Sequence, residues 1–127
     1  MKTDLYQYIP PNEATAPRHA AIRSAALACA AELAVPASFP AVSDACRAFA
    51  SVCGAVAPRS ADLDAAERCI RLARMLTNEA LAAKNDPERH AHLVSLALDE
   101  LTKARMQACA AVALADAGEL PAWEVAP

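Results

Sequence analysis

The sequence predicts an all-α protein in which an N-terminal extended arm precedes about four helices that form antiparallel hairpins. The 127 residues are rich in alanine, the best helix former, and include only two glycines. Apolar residues recur at helical spacing between prolines, which interrupt helices. The length suits one domain over residues 1–127, with the arm at 1–12 and a loose tail at 119–127.

The first two helices are predicted from their apolar stripes. Thr15 is expected to cap the first helix, and Pro36 and Pro40 are expected to form the loop after it. Ser43 or Asp44 is then expected to open the second helix, which Pro58 ends. The first stripe is Ile22, Ala26, Cys29 and Leu33, and the second is Val42, Cys46, Phe49, Cys53 and Val56.

The third and fourth helices carry clear start signals. Ser60 or Asp62 is expected to cap a helix that runs to about Lys84, and Asp86 with Pro87 opens a helix that runs to roughly Ala117. The predicted core face of the third helix is Leu63, Ala66, Ile70, Ala73 and Ala80. Leu72 and Met75 fall outside that face, so we expect them to pack against the fourth helix or a neighbouring subunit.

Composition disfavours several classes of protein. The net charge of −3 argues against long nucleic acid as a partner, because binding it requires a cationic excess. No apolar run is long enough for a membrane span, so we expect no membrane partner. The five cysteines are scattered without a C-x-x-C pair, which is typical of reduced core thiols in a cytoplasmic protein.

No cofactor, metal or catalytic group is expected from the motifs. The histidines lack ligand spacing, because His90 and His92 point to different sides of a helix and His19 stands alone. We expect them to be solvated. The chain has no nucleophile motif and no glycine-rich phosphate loop, so enzymatic activity is not expected.

The N-terminal segment is the first candidate for binding a small anion. Tyr8 can stack on a base, Arg18 and Arg23 can meet phosphates, and Asn12 adds a polar contact. Alternatively, the arm docks its aromatic rings on the body of the fold, and these residues have no ligand.

Arg59 and Ser60 form the second candidate, since an arginine and a hydroxyl at a helix start suit phosphate. The alternative is a plain serine cap beside a solvated arginine. Farther along, Arg68, Arg71 and Arg74 are expected to be a solvated flank, with Glu67 and Arg71 as an ion pair one turn apart.

Two segments together resemble a family of small phage helical-hairpin proteins that sequester cyclic nucleotides. The family includes the anti-CBASS sponge and the Thoeris anti-defence proteins. The first match is Tyr8-Ile9-Pro10-Pro11-Asn12 followed by Arg18-His19-Ala20-Ala21-Ile22-Arg23-Ser24-Ala25-Ala26. The second is Pro58-Arg59-Ser60 followed by Ala66, Ile70, Ala73, Met75, Asn78 and Ala80.

The resemblance implies a protein that binds cyclic dinucleotide or trinucleotide signals in the infected bacterial cytoplasm without cleaving them. It also implies a homo-oligomer with pockets shared between subunits, a hexamer in the anti-CBASS branch. Carried over by position, Tyr8 would stack on a base and Arg23 would meet phosphate, while Asn12 and Arg59 would be further polar contacts. A helix within 35–56 and the fourth helix have no counterpart in the short members.

Two other functions remain open from the sequence. The chain can be a helical module that inhibits a defence protein by direct binding, using its alanine-rich faces and Met75. It can also be a structural subunit of an assembly.

Overall fold

The computed structural model describes residues 11–117, and within them the chain is all-helical. The four helices are α1 (Ala16–Ala34), α2 (Phe39–Val56), α3 (Ala61–Ala82) and α4 (Pro87–Ala117). This confirms the predicted fold class and helix number. Most of the predicted arm, with Tyr8, and the predicted tail lie outside the described residues.

The helices form an up-down-up-down bundle. The connections at 35–38, 57–60 and 83–86 are short, so consecutive helices run antiparallel. α1 packs on α2 and α4, and α3 packs on α2 and α4. One end of the bundle, the α1-start end, therefore gathers the start of α1, the α2–α3 connection and the end of α4.

Every helix buries a stripe with alternating steps of three and four residues, the spacing of left-handed bundle packing. The described core confirms the predicted faces of α1 and α3 and four of the five residues predicted for α2. Val56 is half-buried, and Ala57 takes its place in the core. On α4 the stripe is Ala97, Leu101, Ala104, Ala108 and Ala111.

α3 and α4 are the most extensively packed pair, and both helices bury several alanines. Each helix buries three alanines at seven-residue intervals. They are Ala66, Ala73 and Ala80 on α3 and Ala97, Ala104 and Ala111 on α4. A side chain of one methyl group lets the helix backbones approach closely. None of the four helices is long and apolar enough to cross a bilayer.

The predicted start of α2 is wrong by several residues. Ser38 is the N-cap, its Oγ accepting a hydrogen bond from the Ala41 backbone N–H at 3.2 Å, and Phe39 begins the helix. Pro40 therefore lies in the first turn, where a residue without an N–H loses no intrahelical hydrogen bond.

The other helix starts follow the predicted signals, with one change of partner at α1. Thr15 occupies the N-cap position, but the Asn12 Oδ1 accepts from the Ala14 and Thr15 backbone N–H groups. Ser60 Oγ accepts from the Leu63 N–H at 3.1 Å, and Asp86 Oδ1 accepts from the Arg89 N–H at 3.2 Å.

Two histidines are not solvated, contrary to expectation. His19 is buried in α1. His90 is half-buried, and its Nδ1 lies 2.7 Å from the Ala80 carbonyl oxygen, so Nδ1 carries the proton and donates. This bond fastens the start of α4 to the end of α3.

Phe49 is the fully buried aromatic side chain of the described core, and it provides the first test of the fold. Phe49→Ala should lower the free energy of unfolding by about 3–5 kcal/mol, because it leaves a cavity in close packing. Urea unfolding followed by circular dichroism measures this change.

Phe39 is the matched control, since it lies on the same helix but is 53% exposed. Phe39→Ala should change the free energy of unfolding by only about 0.5 kcal/mol. Equal losses in the two variants would contradict the position of the core.

Candidate anion-binding sites

The predicted arginines of α1 do not share one site. Arg18 and Arg23 are both exposed, but five residues of helix separate them by about 140°. Arg18 lies on the side of Cys29, which contacts Cys46 of α2. Arg23 lies on the side of α4, where its charge acts to lower the pKa of Cys109. A ligand bound by Arg18 would therefore meet different neighbouring residues from a ligand bound by Arg23.

The sequence did not predict that Arg105 of α4 and Arg23 of α1 act on the same thiol. Burial raises the pKa of the Cys109 thiol, while Arg105 and Arg23 both act to lower it, so the charges of both arginines act on the same part of the α1–α4 packing. Within residues 11–117 no carboxylate lies within ion-pair distance of either arginine. Only the packing of α1 on α4 joins these residues, which are 82 positions apart.

His19 lies one turn before Arg23 and is 4% exposed. Its Nε2 is buried and has no hydrogen-bond partner. Burial lowers the pKa of this imidazole, and the Arg23 guanidinium lowers it further. The side chain is thus held in its neutral form inside the bundle.

Asn12 is committed to the fold. Its Oδ1 accepts from the Ala14 and Thr15 N–H groups just before α1, and its Nδ2 donates to Asp116 Oδ2 at 2.9 Å, which ties the start of α1 to the end of α4. A ligand could use this exposed amide only by competing with Asp116.

Arg59 and Ser60 are also used within the protein. Ser60 caps α3, as the alternative interpretation expected. Arg59 is not free in solvent, since it donates to Asp64 and to Glu67, the latter at 2.9 Å. These two carboxylates raise the pKa of Arg59. As placed, the position carries its own anions and is not open to phosphate.

An open cleft between α2 and α3 holds three further arginines. We call it the arginine cleft, and its volume is about 300 Å³. Its polar lining is Ser43 and Arg47 from α2 with Glu67, Arg71 and Arg74 from α3, above a floor of Cys46, Ala50 and Ile70.

The expected ion pair between Glu67 and Arg71 is wrong, because Glu67 pairs with Arg59 instead. Arg71 and Arg74 consequently have no carboxylate within ion-pair distance among the described residues. Sequence reasoning took them for a solvated flank, since nothing local shows that Arg47 of another helix faces them.

Arg74 acts on the pKa of the Cys46 thiol at the floor of the cleft. A hydrogen bond with the Cys29 thiol lowers the pKa of Cys46, burial opposes that shift, and the Arg74 guanidinium favours the thiolate. Arg74 is itself half-buried and lines the cleft together with Cys46.

A larger groove of about 520 Å³ lies between α1 and α2. Alanines line most of it, and the charged side chains at its edge are Glu32 and Asp44. With carboxylates and no cation in its lining, this groove does not suit an anion.

Metal ligands do not cluster in this part of the chain. From residue 11 to residue 117, no group of three histidine, cysteine or carboxylate side chains is placed to hold a metal ion. The chain was also compared with known proteins. No protein-family model, curated protein or solved structure matches it.

The buried His19 predicts a loss of stability in mild acid. Its folded pKa lies below the ordinary 6.5, so between these two values the unfolded chain binds more protons. The free energy of unfolding should therefore fall as the pH falls below 6.5. Above that pH, His19 should not make the free energy of unfolding depend on pH. Melting curves between pH 7.5 and about pH 5.5, above the range of ordinary carboxylates, measure it.

The variant His19→Gln keeps a polar side chain of similar size but removes the titration. Its melting temperature should depend less on pH across the same window. An unchanged pH dependence in this variant would show that another group is responsible.

Proposed function

We propose that the protein binds a small phosphate-bearing ligand, a cyclic oligonucleotide immune signal, and sequesters it without cleaving it. The observation that carries this proposal is the packing of α1 on α4, where Arg23 and Arg105 both act on the half-buried Cys109 thiol and neither has a carboxylate within ion-pair distance among the described residues. Phosphate oxygens are the natural partners of such a pair, because guanidinium groups bind them bidentately.

The surrounding charge favours a small ligand. The chain as a whole is negative, at −3, so its attraction for a long polyanion is weak. Two local arginines suffice for one phosphodiester, since each charge-assisted hydrogen bond contributes about 1.5–3 kcal/mol.

The resemblance to the phage hairpin proteins gives the ligand its proposed identity. It selects Arg23 as the phosphate contact and Tyr8, outside the described residues, as the base-stacking group. It also supplies the setting, the cytoplasm of an infected bacterium, and the outcome, in which the signal is withheld from its effector. Arg105 is the addition made from the structure, since α4 has no counterpart in the short members.

The first functional prediction concerns this arginine pair. Arg23→Ala and Arg105→Ala should each weaken binding of the preferred cyclic nucleotide at least about tenfold, because each removes a charge-assisted hydrogen bond. Tyr8→Ala should lose a base stack of about 1–3 kcal/mol. Isothermal titration calorimetry with cyclic dinucleotides and cyclic trinucleotides measures these affinities.

Arg89→Ala is the matched control, since Arg89 is an exposed arginine at the opposite end of α4. It removes the same charge and should retain full affinity. Protein purified from signal-producing cells should also release intact cyclic nucleotide on heating, as chromatography would show. Recovery of linear nucleotide, or full affinity in both site variants, would refute sequestration at this site.

We also propose that the protein is a homo-oligomer. On α3, Leu72 is 42% exposed and Met75 is 56% exposed, so α4 leaves both uncovered. A helix with a second apolar side normally packs twice. The same side chains would serve the runner-up function, a module that binds a defence protein directly.

Met75→Glu tests the oligomer, because a carboxylate buried between subunits is costly. Light scattering at micromolar concentration should show an oligomer for the unaltered protein and a smaller species for the variant. A change to the same side chain at Ser95, an exposed polar position on α4, should leave the mass unchanged, since Ser95→Glu alters no apolar surface. A monomeric unaltered protein would exclude shared pockets.

A further inference from the structure

We propose that the arginine cleft between α2 and α3 is a second anion site, one that takes a phosphate or diphosphate group. It is separate from the Arg23–Arg105 pair, because its residues come from α2 and α3. The inference rests on the charges of the cleft, on the two helices that supply them and on its size.

The charges in the cleft are not balanced by the protein. Glu67, its lining carboxylate, is engaged by Arg59 at 2.9 Å. Arg47 approaches Asp44 at 3.4 Å, but both side chains are 75% exposed, and such a pair contributes little. Arg71 and Arg74 have no carboxylate partner in the described part of the chain.

The donors converge from two antiparallel helices. Arg71 and Arg74 lie one turn apart on α3, and Ser43 and Arg47 lie one turn apart on α2. The cleft is therefore bordered by guanidinium groups on both sides and by a hydroxyl. A phosphate group placed between them can accept hydrogen bonds from both helices at once, which a solvated arginine flank on one helix cannot offer.

Part of the site is ordered before any ligand binds. Arg74 is half-buried and lines the same cleft as Cys46, so its side chain is less free to move than that of an exposed arginine. A side chain already held by packing loses less conformational freedom on binding.

The volume limits the ligand. At about 300 Å³ the cleft is at the lower end of the range for small-molecule pockets, and it is open to solvent. It therefore suits the phosphate groups of a ligand, either inorganic or on a nucleotide. The apolar floor of Ala50 and Ile70 can contact an attached sugar, so a nucleoside diphosphate and inorganic pyrophosphate are the two sources to compare.

Calorimetric titration with inorganic pyrophosphate at low ionic strength tests the site directly. The unaltered protein should show saturable binding of one pyrophosphate per chain in the cleft. Arg74→Ala and Arg47→Ala should each weaken it at least about tenfold, since each removes a charge-assisted contact. Arg74→Lys should recover only part of that loss, because an ammonium group cannot form the bidentate contact.

Arg68→Ala is the matched control. Arg68 is an exposed arginine on α3 that does not line the cleft, and its removal changes the net charge equally. It should bind pyrophosphate as the unaltered protein does. Equal weakening in Arg68→Ala and Arg74→Ala would reveal diffuse attraction and overturn the site, as would no saturable binding by the unaltered protein.

The outcome is separable from that of the proposed function. Arg23→Ala should keep pyrophosphate binding in the cleft, and Arg74→Ala should keep cyclic dinucleotide binding at the Arg23–Arg105 pair. A repeat titration with a nucleoside diphosphate shows whether the apolar floor adds affinity over pyrophosphate. Melting curves on every variant confirm folding, and loss of pyrophosphate binding only in an unfolded variant would overturn the assignment.

Discussion

The close approach of α3 and α4 is the constraint on which the rest of the structure depends. Alanines at seven-residue intervals on both helices are almost completely buried, which leaves little room for larger side chains between the backbones. Each alanine removes little apolar area from water, so stability must come from many contacts rather than a few large ones. All four helices contribute larger core side chains, such as Phe49 on α2 and Leu63 on α3.

This arrangement decides which polar groups of α3 find partners. With one side of the helix pressed on α4, the side bearing Glu67, Arg71 and Arg74 is turned towards α2. Two arginines compete for an ion pair with Glu67, Arg71 on the same helix and Arg59 in the preceding connection. Glu67 pairs with Arg59. Because Glu67 pairs with Arg59, Arg71 and Arg74 are left as positive charges beside α2. Arg47 on α2 adds a third positive charge. The cleft thus owes its excess positive charge to the pairing of its own carboxylate, Glu67, with Arg59.

Local sequence signals were sufficient for most of the fold and for little of the candidate sites. Helix number and core faces follow from spacing because each depends on the periodicity of one helix. The start of α2 failed because Pro40 can end a helix or occupy its first turn, and only the Ser38 cap distinguishes these. Arg23 and Arg105 are far apart in the sequence, and so are Arg47 and Arg74. No short stretch of sequence therefore shows that the members of each pair lie on neighbouring helices. His90 was missed for the same reason, since its partner, the Ala80 carbonyl, belongs to another helix.

A protein of negative net charge can still bind anions if its positive and negative surface regions are separated by at least the screening length of the solution. At physiological ionic strength this length is about 8 Å, comparable to the separation of neighbouring helices. Arg59 offsets part of the charge of Asp64 and Glu67, and Lys103 offsets that of Glu100, so these carboxylates repel a nearby anion less than unpaired ones would. A small phosphate therefore meets the local arginines, whereas a long polyanion would also extend over the acidic remainder. Segregated charge of this kind selects for ligand size before any contact with a base is made.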